Sequence, residues 1–195
     1  MPSSRLFAVI SLLVLLATVF PGRTVYAASR EKYKRTIEHY TVPDVTLVNQ
    51  NGTKVRLRSL LKSKKVAMVD FIFTTCTTIC PVLSAGFSNF QKKMGPDMKD
   101  VHLVSISIDP EHDTPQRMKE YLRRYNAKPG WDFLTGKADD IGKVLVAFQA
   151  NTTSDKMYHL PLALLHSPNN NRWVRIYGLI GTSDLMSEYR ELLAQ

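Results

Sequence analysis

Two stretches constrain this chain most: residues 66–73 (VAMVDFIF) and 101–108 (VHLVSISI). Each is a nearly continuous apolar run, rich in β-branched and aromatic residues. Both are too short for a buried helix and lack the alternation of a strand with one wet face. Runs of this kind read as strands covered on both faces of a sheet. Between them, Leu83, Phe87, Phe90 and Met94 recur at helical spacing over residues 82–94. A strand, a helix and a second buried strand imply parallel pairing through a right-handed crossover.

The same logic extends in both directions. Upstream, residues 45–48 and 55–57 read as a hairpin closed at Asn51-Gly52. Downstream come a helix over 114–125 with Thr114 as N-cap and Pro115 at its first position, a short strand over 131–134, and an amphipathic helix over 139–150. Residues 162–166 and 172–177 read as strands joined by the turn Pro168-Asn169-Asn170-Asn171, followed by a closing helix over 182–193. The expected fold is α/β: a mixed central sheet flanked by helices, of thioredoxin type, with an N-terminal hairpin.

Residues 1–27 read as a secretory leader. Arg5 is followed by a 15-residue uncharged run from Leu6 to Phe20, then Pro21-Gly22 and the small cleavage-site residues Val25 and Ala27. Fifteen apolar residues fall short of the roughly 20 that span a bilayer comfortably, although an uncleaved anchor is the alternative. Residues 28–41 are polar and carry Arg30, Lys32, Lys34 and Arg35, the composition of a flexible tether. The chain holds 26 Lys+Arg against 17 Asp+Glu. Such a balance can serve a nucleic acid, a membrane surface or an acidic partner. A secretion signal and the lack of an aromatic–basic stripe argue against nucleic acid. A glycine-rich phosphate loop, H-E-x-x-H and a serine nucleophile elbow are all missing.

The only cysteines, Cys76 and Cys80, fall just past the 66–73 strand and at the start of the next helix. Ligand sites in open α/β sheets form at the carboxyl ends of strands, and a helix N-terminus favours the thiolate. Two such thiols can close a disulfide or chelate a soft metal. An inert bridge is the bland alternative, but so short a loop gains little stability from one. Structural zinc wants four ligands, whereas two thiolates with one imidazole suit copper.

The segments DFIFTTCTTICP (residues 70–81) and SISIDPEHDTP (residues 105–115), with a lone His159 before an apolar strand, together resemble the Sco/SenC family. Members of that family are thioredoxin-fold copper proteins that help assemble the copper centre of cytochrome c oxidase. The resemblance covers about residue 42 to the C-terminus, so the expected organisation is leader 1–27, tether 28–41 and copper-binding domain 42–195. It implies copper ligation by Cys76, Cys80 and His159, in Cu(I) or Cu(II) form. It also implies a partner that is the oxidase copper-binding subunit or another periplasmic copper protein, and the leader points to the periplasm, with an inner-membrane anchor as the alternative. A membrane enters only through an uncleaved leader. The alternative is a thiol–disulfide oxidoreductase in which Cys76 attacks and Cys80 resolves. Two departures stand out: Thr77 replaces the proline many members carry after the first cysteine, and Leu160-Pro161 follows the histidine.

The other histidines are not expected as ligands. His166 lies at the far end of the 162–166 strand, roughly 20 Å from His159 at a little over 3 Å per residue, and is expected to be exposed. His102 is on a strand, His112 in a loop and His39 in the tether. Asp109, Glu111 and Asp113 cluster at the carboxyl end of the second buried strand, either near the copper site or as turn and cap residues. Asp70 sits within a buried strand and needs a partner. Lys62, Lys64 and Lys65, with Arg123, Arg124 and Lys128, are either solvated faces or steer an acidic partner.

Overall fold

The two apolar runs lie side by side in the middle of an eight-stranded sheet in the computed structural model, which describes residues 33–150 and 159–194. In chain order the strands are β1 (Lys34–Glu38), β2 (Thr46–Asn49), β3 (Lys54–Arg56), β4 (Val66–Ile72), β5 (Val101–Ser107), β6 (Trp131–Thr135), β7 (Leu162–His166) and β8 (Trp173–Tyr177). The helices are α1 (Leu57–Leu61), α2 (Ile79–Met94), α3 (Pro115–Arg124), α4 (Ala138–Ala147) and α5 (Thr182–Leu193), with a 3-10 turn at Gly95–Asp100. The sheet order is β1-β8-β7-β4-β5-β6-β2-β3. β4, β5 and β6 run parallel, and the remaining pairs are antiparallel.

All seven residues of β4 are buried, as its unbroken apolar character requires. Its two faces meet different helices. Phe71 packs against Phe148, just past α4, while Ser105, paired with Asp70 across β4–β5, accepts from Trp131 Nε1, whose ring meets Phe87 of α2. Helix α2 also joins α3 through a 2.8 Å hydrogen bond between Ser84 and Tyr121. Thr114 caps α3 by accepting from Arg117 N at 3.3 Å. The β2–β3 hairpin turns at Gly52, whose φ of 78° suits glycine. The buried Arg175 of β8 donates to the carbonyls of Phe148 at 2.6 Å and Gln149 at 2.9 Å. A cation is thereby set at the C-terminal end of α4, where the helix dipole favours it.

The tether expected over 28–41 is corrected at Lys34–Glu38, which forms β1 against β8 from Lys34↔Tyr177 to Glu38↔Trp173. The backbone ladder supplies what composition hides, and side chains reinforce it. Tyr33 donates to Glu188 at 2.8 Å, and Arg35 Nε meets the same buried carboxylate at 2.7 Å. Ile37 packs on the core. The leader expected over 1–27 lies outside the described residues. Among the described residues, no helix is long and apolar enough to cross a membrane.

Candidate metal centre

The cysteine segment begins where β4 ends. Cys76 N donates to Phe73 O at 3.2 Å, a turn that swings the chain toward α2. Helix α2 starts at Ile79, earlier than its apolar spacing implies, so Pro81 lies within the first turn, where its missing N–H leaves no gap. Thr78, the N-cap residue, makes no side-chain cap bond. Instead, Cys80 N donates to Cys76 Sγ at 3.4 Å, so sulfur takes one of the helix's orphan donors. Thr78 Oγ1 lies 3.7 Å from the same sulfur. Both cysteines are free thiols, and Cys76 is 6% exposed.

The two thiols have opposite acidities. Burial pulls the Cys76 thiol up, but hydrogen bonds from the Cys80 thiol and N–H and from Thr78 outweigh it and hold it below the ordinary thiol range. Burial pushes the Cys80 thiol far up. Its hydrogen bond to Cys76 and the negative charges of Cys76 and Asp70 add to that. Cys76 is therefore the more acidic of the two thiols and Cys80 the less acidic.

His159 precedes β7, which pairs antiparallel with β4 through Asp70↔Ala163. That register, continued past the strand, brings His159 alongside the β4 end that leads to Cys76. Pro161 causes no fault in the ladder, because it stands just outside β7 and its carbonyl accepts from Gly178 N at 3.0 Å. His159 is 8% exposed, and neither ring nitrogen has a hydrogen-bond partner among the described residues. Burial holds its pKa below the ordinary imidazole value, while the Phe71 backbone pulls the other way. A neutral imidazole with free nitrogens is the form that ligates metals. The structure brings Cys76 and Cys80 together but does not gather them with His159. Among the described residues no three His, Cys, Asp or Glu side chains stand as a metal-holding cluster.

The remaining histidines occupy other places. His166 is buried, not exposed as expected, because the β7 end tucks it against Trp173 at a ring separation of 4.4 Å. His102 pairs with Asp132 at 2.8 Å, and His112 with Asp109 at 2.9 Å. His39 Nδ1 lies 3.1 Å from the Asn171 carbonyl oxygen.

Sequence reasoning missed how the cysteine segment is held. Asp113 is fully buried and accepts from Thr74 N at 3.1 Å, Thr74 Oγ1 at 2.5 Å and Ser107 Oγ at 2.6 Å. It thus ties the segment after β4 to the end of β5. The only sequence signal was its place in the acidic cluster, since its partner Thr74 lies 39 residues away. Asp113→Ala orphans three donors and is expected to cost about 3–4 kcal/mol by chemical denaturation, with faster amide exchange at Thr74. Glu111→Ala, at an exposed position, is expected to stay within about 0.5 kcal/mol. Asp70 is buried, and among the described residues neither oxygen makes a hydrogen bond of normal geometry; the Ser105 hydroxyl on the neighbouring strand is the side-chain group that acts on it. Burial pushes its pKa up to about 7, against the opposing influence of the neighbouring Ser105 hydroxyl.

Comparison with known proteins places this arrangement. The SCO1/SenC family profile matches residues 34–188. A Bacillus subtilis SCO1 homologue is 42% identical over 99 residues, which span 50% of this chain and 50% of that protein. A SCO2-like protein of Rickettsia typhi is 30% identical over 146 residues, 75% of this chain and 68% of the relative. The chain spans about half the length of most curated relatives it matches. Among solved structures, BsSco superposes with a TM-score of 0.67 at 31% identity, covering 80% of this chain and 95% of that one. Copper-bound ScoI of Bradyrhizobium japonicum gives 0.61 at 29%, covering 75% and 99%. The profile match spans most of the described fold, cysteine segment and His159 included, and the chain belongs to the SCO1/SenC family.

Proposed function

We propose that this chain is a copper-binding metallochaperone. In this reading it holds copper on the Cys76 and Cys80 thiolates and the His159 imidazole, and passes it to the copper centre of a respiratory cytochrome c oxidase. The observation that carries the reading is a cysteine pair joined by a hydrogen bond at a helix N-terminus, together with a buried imidazole, just before β7, whose nitrogens are both unpartnered among the described residues. Soft sulfur ligands with one imidazole suit copper. Cu(I) is held by the sulfurs and completed by His159, while Cu(II) takes a further oxygen or nitrogen ligand. BsSco is described as a member of the Sco family of cytochrome c oxidase assembly proteins, and the Bradyrhizobium relative holds copper, which supports the same cargo here. The leader-like residues 1–27 support a periplasmic site of action, with the mature chain beginning at Ala28 if the leader is cleaved.

Equilibrium dialysis tests the binding claim. Reduced protein is expected to retain one copper per chain, and Cys76→Ser to retain none under the same competition. Unchanged retention in Cys76→Ser overturns it.

A second reading, thiol–disulfide exchange, is favoured by the opposite acidities of the two thiols. Cys76 attacks a partner's disulfide and Cys80 resolves the mixed disulfide. A disulfide switch has been identified in BsSco. The His159→Ala variant separates the readings: it is expected to weaken copper retention while leaving exchange with a disulfide substrate near the wild-type rate.

A further inference from the structure

The cysteine segment is flanked by two unlike surfaces. On one side a concave pocket of about 660 Å³ is lined by Thr74, Arg117, Glu120, Arg123 and Arg124. Thr74 is held by Asp113, one residue before the α3 cap, so the pocket and the segment bearing Cys76 are parts of one hydrogen-bonded corner. None of the three arginines has a carboxylate ion pair among the described residues. Arg117 Nη1 donates to the His112 carbonyl at 3.0 Å, and the Arg124 guanidinium lies 5.0 Å from the Tyr121 ring centroid. These contacts orient the Arg117 and Arg124 guanidinium groups without neutralising them. From residue 114 to 130 the chain has five basic side chains and one acid, Glu120. Three unpaired guanidinium groups in one concavity are a receptor for carboxylates.

Near the cysteines and His159, three large apolar side chains are also exposed. Val82 follows Cys80 by two residues and is 46% exposed, while Leu160, next to His159, is 66% exposed. Leu179, 45% exposed, continues the β7–β8 register opposite Leu160. A free anion has no use for that surface, whereas a protein covers both kinds at once.

We propose that this face docks an acidic protein partner, with carboxylates in the Arg117/Arg123/Arg124 pocket and apolar side chains against Val82, Leu160 and Leu179, so that its own sulfur or copper site meets Cys76. The pocket sets orientation and approach rate, and the apolar side supplies contact area. The proposal rests on Cys76 as the exchanging sulfur and adds what selects its partner.

The probes are two disulfide-closed Cys-x-x-x-Cys peptides, one flanked by glutamates and one by lysines, mixed with the reduced full chain. The Cys76 thiolate attacks the peptide disulfide, whose S–S bond breaks and releases one peptide thiolate. Cys80 loses its proton to solvent and attacks Cys76 in the mixed disulfide, releasing the second peptide thiolate. Two electrons pass from protein dithiol to peptide disulfide, and solvent protonates the peptide sulfurs. At low salt the glutamate peptide is expected to react about tenfold or more faster than the lysine peptide. At about 1 M salt, where screening acts within about 3 Å, the ratio is expected to approach one.

The Arg117→Gln/Arg123→Gln/Arg124→Gln variant is expected to lose the preference. Lys62→Gln/Lys64→Gln/Lys65→Gln, which removes equal charge just before β4 at the opposite end of that strand from Cys76, is expected to keep it. A preference retained by the arginine variant, or lost equally in the lysine variant, overturns the proposal. If neither peptide exchanges, the reading of Cys76 fails, and docking is decided separately by fluorescence anisotropy of the same peptides with serine for cysteine. Tighter binding of the glutamate form that depends on the arginines sustains docking, and equal binding of both forms overturns it.

Discussion

Protein isolated in air without metal is expected to take up no tight copper until it is reduced. In the proposed site copper needs both sulfurs as thiolates, and a Cys76–Cys80 disulfide consumes both. The structure favours that disulfide. The Cys76 sulfur already accepts from Cys80 N at 3.4 Å and is the more acidic of the two thiols, while Thr75, Thr77 and Thr78 around it are at least partly open to oxidant. Alkylation and mass spectrometry are expected to count no free thiols in the aerobic protein and two after reduction. Copper retention should rise over the same step from none to one per chain. Since the chain has no other cysteine, any copper held by the oxidised form sits on nitrogen or oxygen ligands. Retention there as tight as in the reduced form would place the site elsewhere.

The second large effect is thermodynamic and lies at Asp70. Its pKa rises from 3.8 to about 7 on folding because the carboxylate is wholly buried. The native state therefore binds a proton more tightly than the unfolded chain, so stability falls as pH rises. The loss begins near the ordinary carboxylate value, grows until about pH 7 and then levels off. A rise of that size corresponds to about 4 kcal/mol at the plateau. Asp70→Asn removes the ionisation while keeping the shape. It is expected to be more stable than wild type at pH 8 by a few kcal/mol, and close to wild type at pH 4. Denaturant titrations at pH 4, 6 and 8 measure the gap. A gap independent of pH, or an Asp70→Asn protein less stable than wild type at pH 8, contradicts the assignment of a wholly buried carboxylate.

Where the sequence was legible, burial was expressed in consecutive residues. The β4 and β5 runs, the helical spacing of Leu83, Phe87, Phe90 and Met94, and the turn at Pro168–Asn171 each reveal an element on their own. Strand β1 does not, because KRTIE has a single aliphatic side chain and its stability comes from the β8 ladder and Glu188. Helix α1 is too short to show a period. In the site, the cysteines announce themselves by spacing, and His159 only through the family resemblance. The Asp113 clamp is invisible because it joins the ends of two strands brought together by parallel pairing. The burial of His166 depends on Trp173, the residue across the β7–β8 hairpin, which no local pattern records.

In the proposed site, sulfur from both cysteines and the His159 nitrogen hold the copper. Titrating the reduced protein with Cu(II) while recording electronic absorption and electron paramagnetic resonance tests it most directly. A sulfur-to-copper charge-transfer band is expected that saturates at one equivalent in wild type. The band should be lost in both Cys76→Ser and Cys80→Ser, and His159→Ala should change the resonance parameters and weaken retention. A charge-transfer band that persists in either serine variant, or a resonance spectrum unchanged by His159→Ala, would contradict it.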